Sequence, residues 1–247
     1  YDEVRGKKFS AAKPFIVMGV LGVFLLAQPD LGSTVVLFVI TFGMLFIVGA
    51  NFWQFILLIG TGILLFVWLV LSASYRLKRF TGFLEPFKDP YGTGFQLTNS
   101  LMAFGRGEIS GEGLGNSIQK LDYLPEAHTD FIMAIIGEEF GFIGILVVVI
   151  LLGLLIFRAM KIGRESLMLE QRFRGFFALG ISFWIFFQGF VNLGMALGML
   201  PTKGLTFPLV SYGGSSIIIM SATVGILLRI DHENRLQRGG QARLRDD

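Results

Sequence analysis

The chain has 247 residues, 53% of them hydrophobic and 16% charged, with a net charge of +3 and no cysteine. Ordinary soluble domains are less apolar and more charged. Apolar runs of about 20 residues are long enough to cross a bilayer as helices, and the polar–apolar alternation of a membrane barrel is absent.

The pattern predicts an all-α integral membrane protein with six transmembrane helices. The chain opens at Tyr1, without an initiator Met or a visible signal peptide, and is expected to be the C-terminal part of something longer. The first span is Phe15 to Ala27, short for a full crossing. The second is Leu31 to Ala50 and the third Phe52 to Ser72. A mixed stretch from Ala73 to Thr129 then forms one large loop. The fourth span is Phe131 to Phe157, the fifth Phe173 to Leu200, the sixth Leu209 to Leu228. Residues 1–230 read as one membrane domain, and 231–247 as a polar tail expected to be disordered.

Lys and Arg set the orientation. Arg5, Lys7, Lys8 and Lys13 precede the first span, and Arg158, Lys161, Arg164, Arg172 and Arg174 join the fourth to the fifth. Arg229, Arg235, Arg238, Arg243 and Arg245 follow the sixth, so 14 of 21 basic residues lie on one side. Both termini are therefore expected in the cytoplasm. The basic residues sit where topology uses them and do not point to nucleic acid. Outside lie Gln28 to Gly32, the loop 73–129, LPEAHTD, and PTKGLTFPLVSYGGSS. Nearly all the polar chemistry thus shares the outer face.

Within the long loop, TGFQLTNSLMAFGRGE reads as a short amphipathic helix at the interface, with Phe95, Leu97, Leu101 and Phe104 as its apolar residues. Gly105, Gly107, Gly111, Gly113 and Gly115 then mark a glycine-rich turn. Without a preceding strand this is no dinucleotide site. The loop is either flexible with one surface helix or a substrate-binding platform.

The entry to the fourth span carries the chemistry. Pro125 stops a helix and Thr129 or Asp130 can cap the next one. A cap alone accounts for Asp130, but Glu126 and His128 exceed what capping needs. Glu138 and Glu139 lie about 12 to 13 Å along the helix from Asp130 at 1.5 Å per residue. An acidic residue at helix centre costs about 3 kcal/mol and normally faces a bundle interior or polar cavity. At about 100° per residue, Glu138 falls roughly 80° round from Asp130 and can line a cavity beneath it, whereas Glu139 lies opposite and needs a partner in a neighbouring helix. Both also fit as structural, paired carboxyls.

In the last outer segment, Pro201 and Pro208 bracket Lys203, and Gly213 and Gly214 permit an unusual backbone before Ser215 and Ser216, which can cap the final helix. N–H groups at such a break favour anions. A hinge or close helix contact explains the same residues. Gln188 and Asn192 read as interhelical hydrogen-bonding residues. Arg76 and Arg79 can meet a phosphate or snorkel. The two histidines show no metal-ligand spacing. These residues describe an outward-facing site for a lipid-linked anionic substrate better than one for a soluble metabolite.

QPDLG, GTGFQLTNSLMAFGRGE, LPEAHTDFI, GEEFGFIG and PTKGLTFPLVSYGGSS, in that order, resemble the SEDS family (shape, elongation, division and sporulation). PTKG and the run GLGNSIQKLDYLPEAHTDFI are more similar to its division than its elongation branch. The resemblance implies a ten-helix fold, matched here from about the fifth helix on. It implies a peptidoglycan glycosyltransferase that polymerises lipid II at the outer face of the bacterial cytoplasmic (inner) membrane, at the division septum. Implied partners are a class B penicillin-binding protein acting as transpeptidase, other divisome proteins and membrane lipid. Asp130 matches the family's catalytic aspartate, the expected general base for an inverting transfer. Lys203 and the Gly213–Gly214 break are candidates to hold the diphosphate, with Arg76 or Arg79 behind them. Glu126, His128, Thr129, Glu138, Glu139, Ser211 and Ser215 complete the candidate substrate-binding set. A divalent cation, Mg or Mn, could share the charge neutralisation. Two other classes compete: a lipid II flippase, toward which Glu138, Glu139, Gln188 and Asn192 lean, and a non-catalytic scaffold of the division machinery.

Overall fold

The computed structural model describes residues 12–28, 31–49, 52–71, 82–202 and 204–246. Lys203, Arg76 and Arg79, expected at the diphosphate, lie outside the described residues. Every expected span holds a helix: α1 (Ala12–Ala27), α2 (Leu31–Val48), α3 (Phe52–Leu71), α5 (Ile132–Met168), α6 (Arg172–Ala196) and α7 (Gly214–Asp246). The loop adds α4 (Phe95–Gly107) and a single π-helical turn, Gln119–Tyr123. Among the described residues, α5, α6 and the part of α7 from Gly214 to Gly240 are long and apolar enough to cross a membrane. The apolar stretches of α1 and α2 are shorter, and α3 has 20 residues.

The chain divides into two compact units. The first combines Tyr1–Leu57, Gly153–Phe187 and Ile218–Asp247. It corrects the expected disordered tail, because α7 stays helical to Asp246. The inward side of that extension is acidic and polar. Asp231 receives both contacts of Arg158 Nη2 at 3.0 Å and a third from Arg235 at 2.8 Å. Glu233 pairs with Arg174 at 2.7 Å and Arg229 at 2.8 Å. Fully buried Asn234 donates to Ser166 Oγ at 2.9 Å. Composition alone signalled a solvated tail; the ion pairs to α5 and α6 give its polar residues partners. The helix of the fourth span likewise runs past Phe157 to Met168.

The second unit combines Leu58–Leu152 and Gln188–Ile217. Its core is small and tightly packed: Ala103, Leu124, Ala127, Phe131, Ala134, Ile135 and Ala196 are buried, with Phe104 against them. Helix α4 forms where its sequence predicts, but its setting differs. Leu97, Thr98, Asn99, Ser100, Ala103 and Gly107 are buried, so its polar side faces protein. Thr98 Oγ1 donates to the Pro86 carbonyl at 3.0 Å and Ser100 Oγ to the Ala196 carbonyl at 2.8 Å. These hydroxyl-to-backbone bonds make that burial tolerable.

Helix α5 is broken at Gly141, where φ is 66° and ψ −163°. Segment 108–113 fills the break. Glu112 and Gly113 N–H donate to the carbonyls of Glu138 and Glu139 at 2.9 and 3.0 Å, and Phe142 and Ile143 N–H donate to those of Glu108 and Ile109 at 2.9 and 3.2 Å. The glycine-rich turn therefore replaces a missing stretch of helical ladder. In an apolar setting each backbone group left unpaired would be costly.

Candidate active site

Residues 126–131 form a tight turn before α5. Glu126 takes the left-handed conformation, φ 57°, and its carbonyl accepts from the N–H groups of Thr129, Asp130 and Phe131 at 3.0–3.2 Å. Thr129 Oγ1 closes the turn by donating to Glu126 Oε2 at 2.6 Å. Glu126 and His128 are exposed, while Thr129 and Asp130 are partly buried. The turn thus brings Glu126, Thr129 and Asp130 together. Burial pushes the Asp130 carboxyl up from 3.8 to about 6, and the neighbouring Glu126 charge adds to the rise. A carboxyl titrating near neutrality suits general-base chemistry.

Three successive carbonyls of this turn are held from outside it. Tyr212 N–H donates to the His128 carbonyl at 2.9 Å. Ser211 Oγ donates to the Thr129 carbonyl at 2.5 Å. Asn192 Nδ2 donates to the Asp130 carbonyl at 2.7 Å and also to that of Leu205 at 2.5 Å. Segment 204–207 comes close as well: a methyl placed on Gly204 would stand 3.2 Å from Asp130 Oδ2. Gln188 Nε2 secures the same segment by donating to the Thr206 carbonyl at 2.8 Å. Gln188 and Asn192, expected to bond between helices, therefore bond to loop backbone.

Glu138 and Glu139, expected among the substrate-binding residues, both have partners within the protein. Glu138 is fully buried and accepts from Ser117 Oγ at 2.5 Å and from the N–H groups of Ile118 and Gln119, each at 3.2 Å. Arg106 Nη1 stands 3.6 Å away. Glu139 pairs with Lys120 Nζ at 2.5 Å. Both carboxylates fasten the π-helical turn to α5, and Glu139 finds its partner in the long loop rather than in a neighbouring transmembrane helix. Helical phase fixes the direction of each carboxylate but not which outer segment folds against it.

Ser211, another expected substrate contact, is buried; besides holding Thr129, its Oγ accepts from Phe207 N–H at 2.6 Å. Gly214 opens α7, so Ser215 and Ser216 lie in its first turn instead of capping it. Ser215 is exposed, and Ser216 Oγ lies 3.1 Å from Thr206 Oγ1. Gly213 is partly buried beside Thr206 and Ser216. Among the described residues no group of three or more His, Asp or Glu side chains could hold a metal ion. Sequence reasoning missed Ser117, Arg106, Lys120, Gly141 and Gly204. No local signal singled them out: Arg106, Ser117 and Lys120 lie in the mixed loop, and Gly141 and Gly204 are two of 32 glycines.

A family profile described as "Cell cycle protein", covering FtsW, RodA and SpoVE, matches residues 1–236. The chain is 87% identical over its whole length to the "Probable peptidoglycan glycosyltransferase FtsW" of Haemophilus influenzae and covers 63% of that protein. It is 83% identical to the protein of the same description from Pasteurella multocida, covering 62% of it. It thus spans somewhat less than two thirds of these curated relatives. Among solved structures, a chain from "Structural coordination of polymerization and crosslinking by a peptidoglycan synthase complex" superimposes with a TM-score of 0.73 at 29% identity, covering 92% of this chain and 63% of that one. The Thermus thermophilus rod shape determining protein RodA gives 0.60 at 27% identity, with 93% and 58% covered. The profile match across nearly the whole sequence, with relatives of this identity, means that the chain belongs to the FtsW/RodA/SpoVE family of cell cycle proteins.

Proposed function

We propose that this chain carries the catalytic face of a peptidoglycan glycosyltransferase that polymerises lipid II, with Asp130 as general base. The reading is carried by one observation: a partly buried carboxyl, raised to about 6, sits at the entry to a membrane helix where a lipid-linked sugar would lie. Asp130 takes the proton of the acceptor sugar's 4-hydroxyl. That oxygen forms a bond to the donor's anomeric carbon from the face opposite the diphosphate. The carbon–diphosphate bond breaks, undecaprenyl diphosphate leaves, and the α-linkage becomes β. Lys203 and the Gly213–Gly214 break are the residues proposed to stabilise the leaving diphosphate, with Arg76 or Arg79 behind them. A divalent cation could share that charge.

Relatives described as FtsW support the division branch, a septal location in the inner membrane, and a class B penicillin-binding protein among the division partners. The basic residues favour cytoplasmic termini, with residues 1–230 as the membrane part and 231–247 its cytoplasmic extension. Glu138, Glu139, Gln188 and Asn192, which lean toward a transporter, all have internal partners, which favours the polymerase reading.

The test uses the full-length protein, purified with its transpeptidase partner and supplied with labelled lipid II. Wild type is expected to make glycan chains, and Asp130→Asn to stay folded and partnered while making none. Chain formation by Asp130→Asn at the wild-type rate would reduce Asp130 to a helix-entry residue and end this mechanism.

A further inference from the structure

The helix ladder of α5 begins at the Phe131 carbonyl, which accepts from Ala134 and Ile135 N–H at 2.9 and 3.3 Å. The three carbonyls before it are taken instead by Tyr212, Ser211 and Asn192. Asn192 is the most constrained of these. It is fully buried, and its one amide nitrogen bridges two carbonyls from distant parts of the chain, Asp130 and Leu205. Turning the amide over would set Oδ1 against both carbonyl oxygens, so its orientation is dictated. Its Oδ1 meanwhile has no hydrogen-bond partner among the described residues. A buried amide that leaves its own acceptor unpaired while serving two carbonyls calls for an explanation.

We propose that Asn192 and Ser211 are positioning residues for Asp130: they hold its peptide by successive carbonyls and register segment 204–207 against its carboxylate. The inference rests on the proposed role of Asp130 as base. Gly204 follows from the same geometry, since its bare α-carbon lets the backbone come up to the carboxylate. Gly204 is exposed while Leu205 and Phe207 are buried, and the approach of this segment adds to the desolvation of the carboxyl. Among the described residues, the charged group acting on Asp130 is Glu126, on its own turn. Helix α6 presents the uncharged Asn192, and segment 204–207 presents Gly204, Leu205, Thr206 and Phe207, all uncharged. Neither residue touches the reacting atoms in this arrangement. They act through the place and surroundings of the carboxyl, and misplacement by about 1 Å is enough to cost on the order of a hundredfold in rate.

The experiment compares wild type, Asn192→Ala, Ser211→Ala and Asp130→Asn as full-length protein with its transpeptidase partner and labelled lipid II. It reads kcat, KM and the acidic limb of the pH–rate profile, with thermal unfolding alongside. For Asn192→Ala, kcat is expected to fall about tenfold or more with KM within roughly twofold. Its acidic limb is expected to move to lower pH by about half a unit or more, as water reaches the carboxyl. Ser211→Ala is expected to change in the same direction by less. A merely structural role lowers the folded fraction and leaves the acidic limb where it was; that result overturns the inference. If Asn192→Ala does not fold, Ser211→Ala decides by the same two readings. If Asp130→Asn is inactive while both alanine variants keep wild-type kcat and limb, positioning alone fails. If Asp130→Asn is as active as wild type, the base assignment fails and the positioning role falls with it.

Discussion

Replacing Gly141 with alanine tests the interlock between α5 and the long loop. Its φ of 66° lies where a side chain is strained, by about 1 to 3 kcal/mol. The added methyl would also run into the Ile109 carbonyl and the Gly111 amide. Both are backbone atoms with no rotamer to escape into, so segment 108–113 must withdraw. Four hydrogen bonds of 2.9 to 3.2 Å go with it, each contributing about 1 kcal/mol net. Partial withdrawal therefore costs about 2 kcal/mol and full loss of register about 5 kcal/mol. The assay is thermal unfolding of the purified full-length protein in detergent, with hydrogen exchange read at Glu112 and Gly113. Gly153→Ala is the control, because nothing lies within 4 Å of a methyl there. The expected result is a lower Tm and faster exchange at Glu112 and Gly113 for Gly141→Ala only. Wild-type Tm and wild-type protection in Gly141→Ala would refute the interlock.

Polymerisation should lose activity on acidification with a midpoint near 6, as the Asp130 carboxyl takes up its proton; a flat profile from pH 5 to 8 counts against the base. The same shift has a stability side. The folded carboxyl holds its proton up to about 6 and the unfolded one only to 3.8, so folding is favoured as pH falls through that window and penalised above it. Asp130→Asn should therefore melt higher than wild type above pH 6, with the difference shrinking toward pH 4; an equal melting curve at pH 7.5 would contradict it. Glu138→Ala removes the acceptor from Ser117 Oγ and from two N–H groups, at about 1 to 3 kcal/mol for each group left unpaired. A double-mutant cycle with Ser117→Ala should be clearly non-additive, and additive losses would show that the two do not interact. Asp231→Ala frees Arg158 and Arg235, so amides in 231–240 should exchange faster while chain synthesis is unchanged; unaltered protection there would mean the ion pairs do not hold the end of α7.

Bilayer physics made much of this protein readable from the chain alone. Twenty apolar residues in a row have one stable form in lipid, a helix that satisfies its own backbone, and each expected span holds one. The turn at the mouth of α5 was legible for a similar reason. Pro125 ends one element, the acidic residues start the next, and Asp130 follows as the carboxyl at the helix mouth. Partners were not legible. Glu138 and Glu139 carry the same local signal whether they line a cavity or fasten a loop, and only the approach of residues 117–120 decides it. Asn192 read as helix-to-helix glue, because nothing in its neighbourhood shows that two loop carbonyls arrive at its amide. The polar run after Leu228 looked solvated until α5 and α6 supplied arginines to its acids. Periodicity and composition are properties of a segment and determine its secondary structure and depth. Hydrogen-bond and ion-pair partners belong to segments far apart in the chain, and only the packed structure brings them within reach.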